Sequence, residues 1–247
     1  FFVHIVQQIY KMIKQKFIFS IIFTIILTSL TAQNEFNGFD ENGERQGIWR
    51  KNYPNSYQLR YEGKFNHGKE IDTFKYYKLK RKKSVLSAVK VFNSNDNTSE
   101  VLFMASNGSI VSKGKMDGKN FIGKWLFYHK NSDRIMIEEY YNAQGTLEGK
   151  RKVFFINSVL AESTEYKSGM KNGFLKIYSQ SSKLLQESVY EDDKLSGKTT
   201  YYDLNGSVEA SGNFMANLKT GVWEYFKNGI LTRKVDHDND KVLFKKQ

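Results

Sequence analysis

Three groups of residues in this 247-residue chain have types and spacings that chemistry requires. Gly197-Lys198-Thr199 has the ending of a phosphate-binding loop, in which backbone amides and a lysine hold phosphates. The loop needs another glycine five residues earlier, where Asp192 stands, and Gly-Lys recurs at Gly123-Lys124 and Gly149-Lys150. The motif therefore belongs to a repeating pattern. Asp236, Asp238 and Asp240 alternate as calcium ligands do, but Lys241 replaces the required glycine and Gln247 the bidentate glutamate. His4, His67, His129 and His237 are far apart and the chain has no cysteine, so no zinc ligand set emerges. No G-x-S-x-G elbow, H-E-x-x-H or nucleotide fingerprint is present. The reading is non-enzymatic, with no catalytic residue, cofactor or metal; an envelope or glycan-acting enzyme without a motif stays as an alternative, because active sites are also built from residues distant in sequence.

The third group is basic: Lys78, Lys80, Arg81, Lys82 and Lys83, five cations within six positions. Such a cluster concentrates positive potential where an anionic partner can meet it, although lysine at turns and edges also serves solubility alone. The adjacent Lys75-Tyr76-Tyr77-Lys78 interleaves aromatics with lysines, as base- or sugar-stacking surfaces do. These aromatics recur on one strand face, which marks them as core, and nucleic acid is set aside as a partner.

The elements that position the cluster are hairpins. Glycines at 47, 123, 149, 173, 197 and 221 open units about 24 residues long, the period of a repeat array whose units cannot bury their apolar faces alone. Asp72 and Thr98 fill the gap as hidden anchors. An aromatic follows five residues later at Tyr77, Phe103, Tyr128, Phe154, Tyr178, Tyr202 and Phe226. The pairs Phe74/Tyr76, Trp125/Phe127, Leu175/Ile177 and Trp223/Tyr225 have the period of two that puts both members on one strand face. Turn signals follow at Asn107-Gly108, Asn205-Gly206 and Asn228-Gly229, and Asn-Gly suits the two positive-φ positions of a type I′ hairpin turn. A second strand comes next, as in Leu184/Tyr190 or Val208/Phe214, and the next anchor glycine is expected to make the connecting turn. The fold class is all-β: an elongated antiparallel meander of about eight hairpin repeats in a twisted or coiled open sheet. In the Asp72 unit the basic run occupies the turn and the second strand resumes three residues late, so the sequence predicts a longer hairpin tip there.

Residues 1–32 are read separately. Lys14, Lys16 and the 14-residue apolar run 17–30 fit a secretory signal, since a membrane span needs about 20 apolar residues. Cleavage is expected after Ala32, and residues 1–11, before Met12, are expected to be translated sequence upstream of the start. An uncleaved membrane anchor is the competing reading. The repeat domain then covers 33–247. Its net charge of +9, against +12 for the whole chain, favours anionic surfaces and acidic partners. The absence of cysteine excludes a disulfide framework.

The G-x-W-x-Y-Y, N-G-x-L and E-x-x-Y-x-x-G elements, over roughly Glu35 to Val235, resemble the MORN-repeat variant of bacterial YwqK-type, antitoxin-like proteins. That resemblance implies an all-β array used for binding, and it carries no catalytic residue to this chain. The antitoxin role fits poorly with a secretion signal, which would separate the protein from a cytoplasmic toxin. The expected function is a secreted or periplasmic bacterial protein-binding or scaffold module with an unknown protein partner. The alternative is a surface-association module whose basic hairpin binds anionic lipid or polysaccharide, with peripheral membrane association.

Overall fold

The computed structural model describes residues 36–246; the apolar run and the expected cleavage site lie outside them. All regular structure among the described residues is β-strand, eighteen strands in all. They fall into two compact units that divide between Ile71 and Asp72. The first contains β1 (Gly38–Phe39), β2 (Arg45–Asn52), β3 (Leu59–Asn66) and the start of β4 (Lys69–Lys80). The second contains the rest of β4, β5 (Lys83–Phe92), β6 (Thr98–Met104), β7 (Ile110–Asp117), β8 (Asn120–Tyr128), β9 (Ile135–Tyr141), β10 (Gly149–Phe154), β11 (Leu160–Lys167) and β12 (Met170–Tyr178). It continues through β13 (Leu184–Glu191), β14 (Lys194–Tyr202), β15 (Val208–Met215), β16 (Leu218–Lys227), β17 (Ile230–Asp236) and β18 (Lys241–Lys245). From β4 to β18 each strand pairs antiparallel with its successor. The all-β meander of hairpins expected from the period of 24 is what the chain forms.

The turns differ from the sequence reading, and the reason is backbone geometry. Asn205-Gly206 does not make a two-residue turn. It lies in a loop closed by Asp203 N–H to Ser207 O (2.9 Å) and Gly206 N–H to Asp203 O (3.0 Å). Only its glycine is left-handed, at φ 92°, as in a type I turn followed by a left-handed residue. The same pair of bonds closes 105–109, 142–146, 155–159 and 179–183. Ser158 and Ser182 take the left-handed place in the last two, at φ 66° and 64°. The two-residue turns are mostly at the opposite end of the hairpins: Ser168-Gly169, Asp192-Asp193 and Ala216-Asn217, each with both residues at positive φ. Among the Asn-Gly pairs, Asn228-Gly229 alone has both residues left-handed and bridges its strands directly.

The anchor glycines are therefore inside strands and do not make the connecting turns. Gly123, Gly173, Gly197 and Gly221 sit where the register with the preceding strand shifts. Lys113 pairs with Leu126 and Lys115 with Ile122, so Gly114 alone faces residues 123–125. Ser211 pairs with Glu224 and Asn213 with Thr220, so Gly212 alone faces 221–223. Such a bulge needs a left-handed residue, and Gly123 and Gly221 supply it at φ 63° and 61°. Asp72 has φ 57°, as a hidden anchor should. Thr98 does not: β5 and β6 pair without a shift, and a loop over 93–97 takes the bulge's place.

The bulge folds the tryptophan back over its neighbour. A Cβ added to Gly114 would lie 2.5 Å from Trp125 Cδ2, and one added to Gly212 would lie 2.3 Å from Trp223 Cδ2. The indole thus lies flat on the glycine backbone, and its Nε1–H donates to Lys115 O at 2.9 Å or Asn213 O at 3.0 Å. Both rings are 0 % exposed. Trp125 stacks on Phe121 at 3.6 Å and packs with Phe103 and Phe127 over Val101 and Met116. Trp223 packs with Phe214 (5.1 Å), Tyr201 and Tyr225. In the first unit Trp49 sits between Phe39 and Phe65 and donates Nε1–H to Gly38 O at 3.0 Å.

In two other units the equivalents of this glycine and tryptophan change together. Thr164 pairs with Leu175 and Ser188 with Thr199, so a smaller residue in the tryptophan place comes with a larger one in the glycine place. Thr164, Ser188 and Thr199 are essentially fully buried. Close packing accounts for the matching, because the summed volume must fill the same space.

Candidate functional site

The basic cluster forms the tip of the β4–β5 hairpin. Arg81 and Lys82 make a two-residue turn at φ 49° and 63°, between paired Lys80 and Lys83. The sequence reading placed the extra length in the turn; it is in the strands. Tyr77 pairs with Leu86 as Tyr202 pairs with Val208 in the Gly197 unit. Three further pairs then follow, Lys78 with Val85, Leu79 with Ser84 and Lys80 with Lys83. The cause is local: Asp203 and its neighbours form a side-chain-braced loop, whereas the run from Lys78 to Lys83 has no Asn, Asp or Ser to brace one, and pairing continues to the end.

All five cations are exposed. Lys80 Nζ donates to Ser106 Oγ in the turn of the next hairpin. Lys78, Arg81, Lys82 and Lys83 make no ion pair or side-chain hydrogen bond among the described residues. Several sheet lysines behave otherwise. Lys124 meets Glu138 at 2.7 Å, with Lys152 on its other side at 3.5 Å; Lys176 meets Glu187 at 2.8 Å and Lys234 meets Glu224 at 2.6 Å. Burial pushes the Glu138 carboxyl up, but the two lysines outweigh it and hold the group below its ordinary value. Charge at these sheet positions is thus compensated across strands, and charge at the tip is not.

A hollow of about 500 Å³ opens beside the tip, between Lys80 and the turns at 105–109 and 129–131. A second, more apolar hollow of about 430 Å³ lies on the sheet between Val89, Val91, Leu102 and Leu126.

One polar group escaped the sequence reading. Arg151 stands two residues after Gly149, the place of Trp125 in its unit. Its Nε is 2.9 Å from Glu139 and its Nη1 3.2 Å from Glu162. Tyr141 donates to Glu139 at 2.7 Å and Thr164 to Glu162 at 2.8 Å. Burial first, and the Glu139 carboxylate second, push the Tyr141 hydroxyl far above its usual range. Each carboxylate is engaged by the guanidinium, so this is a closed network in the aromatic row and not an acid–base pair. The signal was readable as the one arginine in the tryptophan position.

The other chemical motifs are dispersed. Gly197-Lys198-Thr199 lies within β14, so its amides belong to a sheet. Asp236 accepts from Asn239 Nδ2 and from the amides of Asp238 and Asn239, which brace the β17–β18 turn and hold its carboxyl below the usual range. His67 contacts Asp40 at 2.7 Å, and His129 Nε2–H donates to Phe154 O at 3.0 Å. Among the described residues no three His, Cys, Asp or Glu side chains converge as a metal site. Neither the known family models nor the curated proteins contain a match to this chain.

Proposed function

We propose that this chain is a non-enzymatic binding array that works outside the cytoplasm and docks on an anionic surface, lipid or polysaccharide, through the β4–β5 tip. The carrying observation is the density of uncompensated charge: four of the five tip cations, within six positions, have no ion-pair partner among the described residues, whereas Lys124, Lys176 and Lys234 on the sheet each meet a glutamate. Near an anionic membrane each cation contributes about 1 kcal/mol, screened beyond roughly 8 Å at physiological salt. The MORN-variant resemblance, with its binding arrays, is in keeping with this reading. The hollow between Val89, Val91, Leu102 and Leu126 favours a second reading, a protein partner docked on the sheet.

The test replaces Lys78 and Lys83 with serine, Arg81 with asparagine and Lys82 with glycine. Asn-Gly keeps the left-handed turn, and Lys80 is left in place. The variant is expected to melt with the parent and to bind phosphatidylglycerol vesicles or polygalacturonate at least about tenfold more weakly at low salt. Binding by the parent should fall steeply with salt. Both proteins carry the same N-terminus, so insertion of the apolar run is common to both. Equal binding by the two would remove the tip and leave the sheet as the docking surface.

A further inference from the structure

We infer that the hollow beside the tip is a binding site for an acidic sugar, a saccharide carrying a carboxylate or phosphate. The inference rests on the anionic-partner reading and names the group recognised. Its first support is charge. Lys80 and Lys130 line the hollow together with His129, and no carboxylate does.

The second support is an arranged rim of hydrogen-bonding groups from three hairpins. Lys80 Nζ donates to Ser106 Oγ, which leaves the Ser106 hydroxyl hydrogen and the other ammonium hydrogens available to a ligand. Asn107 Nδ2 donates to Asn131 Oδ1 at 2.7 Å, so the Asn131 amide nitrogen is left to donate. Asn107 Oδ1 is itself fixed by the Ser109 hydroxyl at 2.8 Å. These side chains are held before any ligand arrives, which lowers the ordering cost of binding.

The third support is the remaining wall, which is apolar: Tyr128, Val111 and Met136. Inorganic phosphate would leave this wall unused, and an acyl chain would leave the amides and hydroxyls unused. A sugar ring presents C–H groups on one side and hydroxyls around its edge, so it engages both. The volume of about 500 Å³ suits one or two rings.

The site also accounts for the lengthened pairing of the β4–β5 hairpin. The three extra pairs from Lys78/Val85 to Lys80/Lys83 carry Lys80 to Ser106 of the neighbouring turn. In a unit of ordinary length, pairing would stop at the Tyr77 level and this wall would be missing.

The experiment titrates the isotope-labelled chain with glucuronate, glucose and acetate and follows backbone amides. Glucuronate is expected to shift Ser106, Val111 and Asn131 at least about tenfold more tightly than glucose, because glucose lacks the charge and acetate the ring. Lys80→Gln with Lys130→Gln should abolish that preference while melting with the parent, since both side chains are exposed. The tip variant described above, which retains Lys80, should keep it. Equal shifts from glucuronate and glucose, or shifts confined to residues outside the hollow, overturn the site. If polygalacturonate binds through the tip while glucuronate shifts no residue of the hollow, the site fails and the tip reading stands. If glucuronate shifts the hollow but no anionic surface is bound, the tip reading alone fails.

Discussion

An indole 0 % exposed in a sheet needs somewhere to lie, and here it lies on a glycine of the preceding strand. Trp125→Ala should cost about 3–5 kcal/mol by emptying that space. Gly114→Ala should cost about 1–3 kcal/mol or more, because its Cβ would overlap the indole at 2.5 Å. The matched pairs elsewhere make a sharper prediction: Trp125→Leu with Gly114→Thr, which copies Leu175 over Thr164, should destabilise less than the sum of the two single changes. Denaturant unfolding of the three variants checks it, and strict additivity would show that the two positions do not share one space. The tryptophans were legible through their spacing from the anchor glycine. Gly114 and Gly212 were not, although each stands two residues before a large apolar residue, Met116 or Phe214, and that spacing was the available signal.

Strand and turn assignment shows which part of an element a sequence encodes. The i, i+2 pairs placed aromatics on one face, and ring contacts between Phe74 and Tyr76, Trp125 and Phe127, and Trp223 and Tyr225 bear this out. Turn type was misread because Asn-Gly satisfies two geometries. The longer loop is chosen where a side chain within it braces the turn, as Asp203 and Asn107 do. On the other sheet face, cross-strand pairing has a pH consequence. The folded-state value of Glu138 is depressed by Lys124 and Lys152, so its contribution is present above the unfolded value of ~4.3 and is lost as pH falls through the lower folded value. Glu138→Gln should therefore destabilise the protein at pH 7 and much less at pH 3, as measured by urea unfolding at the two values. An equal loss at both would assign the effect to packing.

For the molecule as a whole, the repeat period disclosed the architecture, while the proposed function rests on two local features outside it. The basic run was visible because it interrupts the pattern. The hollow beside it was not, because Lys80, Ser106 and Asn131 come from three hairpins and no local spacing links them. The proposed site of action also has a test. A chain expressed from Met12 should be recovered outside the cytoplasm with a new N-terminus near Gln33, read by mass spectrometry; an intact N-terminus on a cytoplasmic product would count against export and against an extracytoplasmic partner.

The matched residues under each strand also limit how such an array can change by duplication or shuffling. Moving the strand of Trp223 into the place of the strand of Leu175 would set an indole on Thr164, where Trp223 now has Gly212. The units share a plan but are not interchangeable parts. A recombination that keeps the 24-residue frame preserves packing only when it carries a strand together with the one before it, so the heritable module is the matched strand pair and not the sequence period.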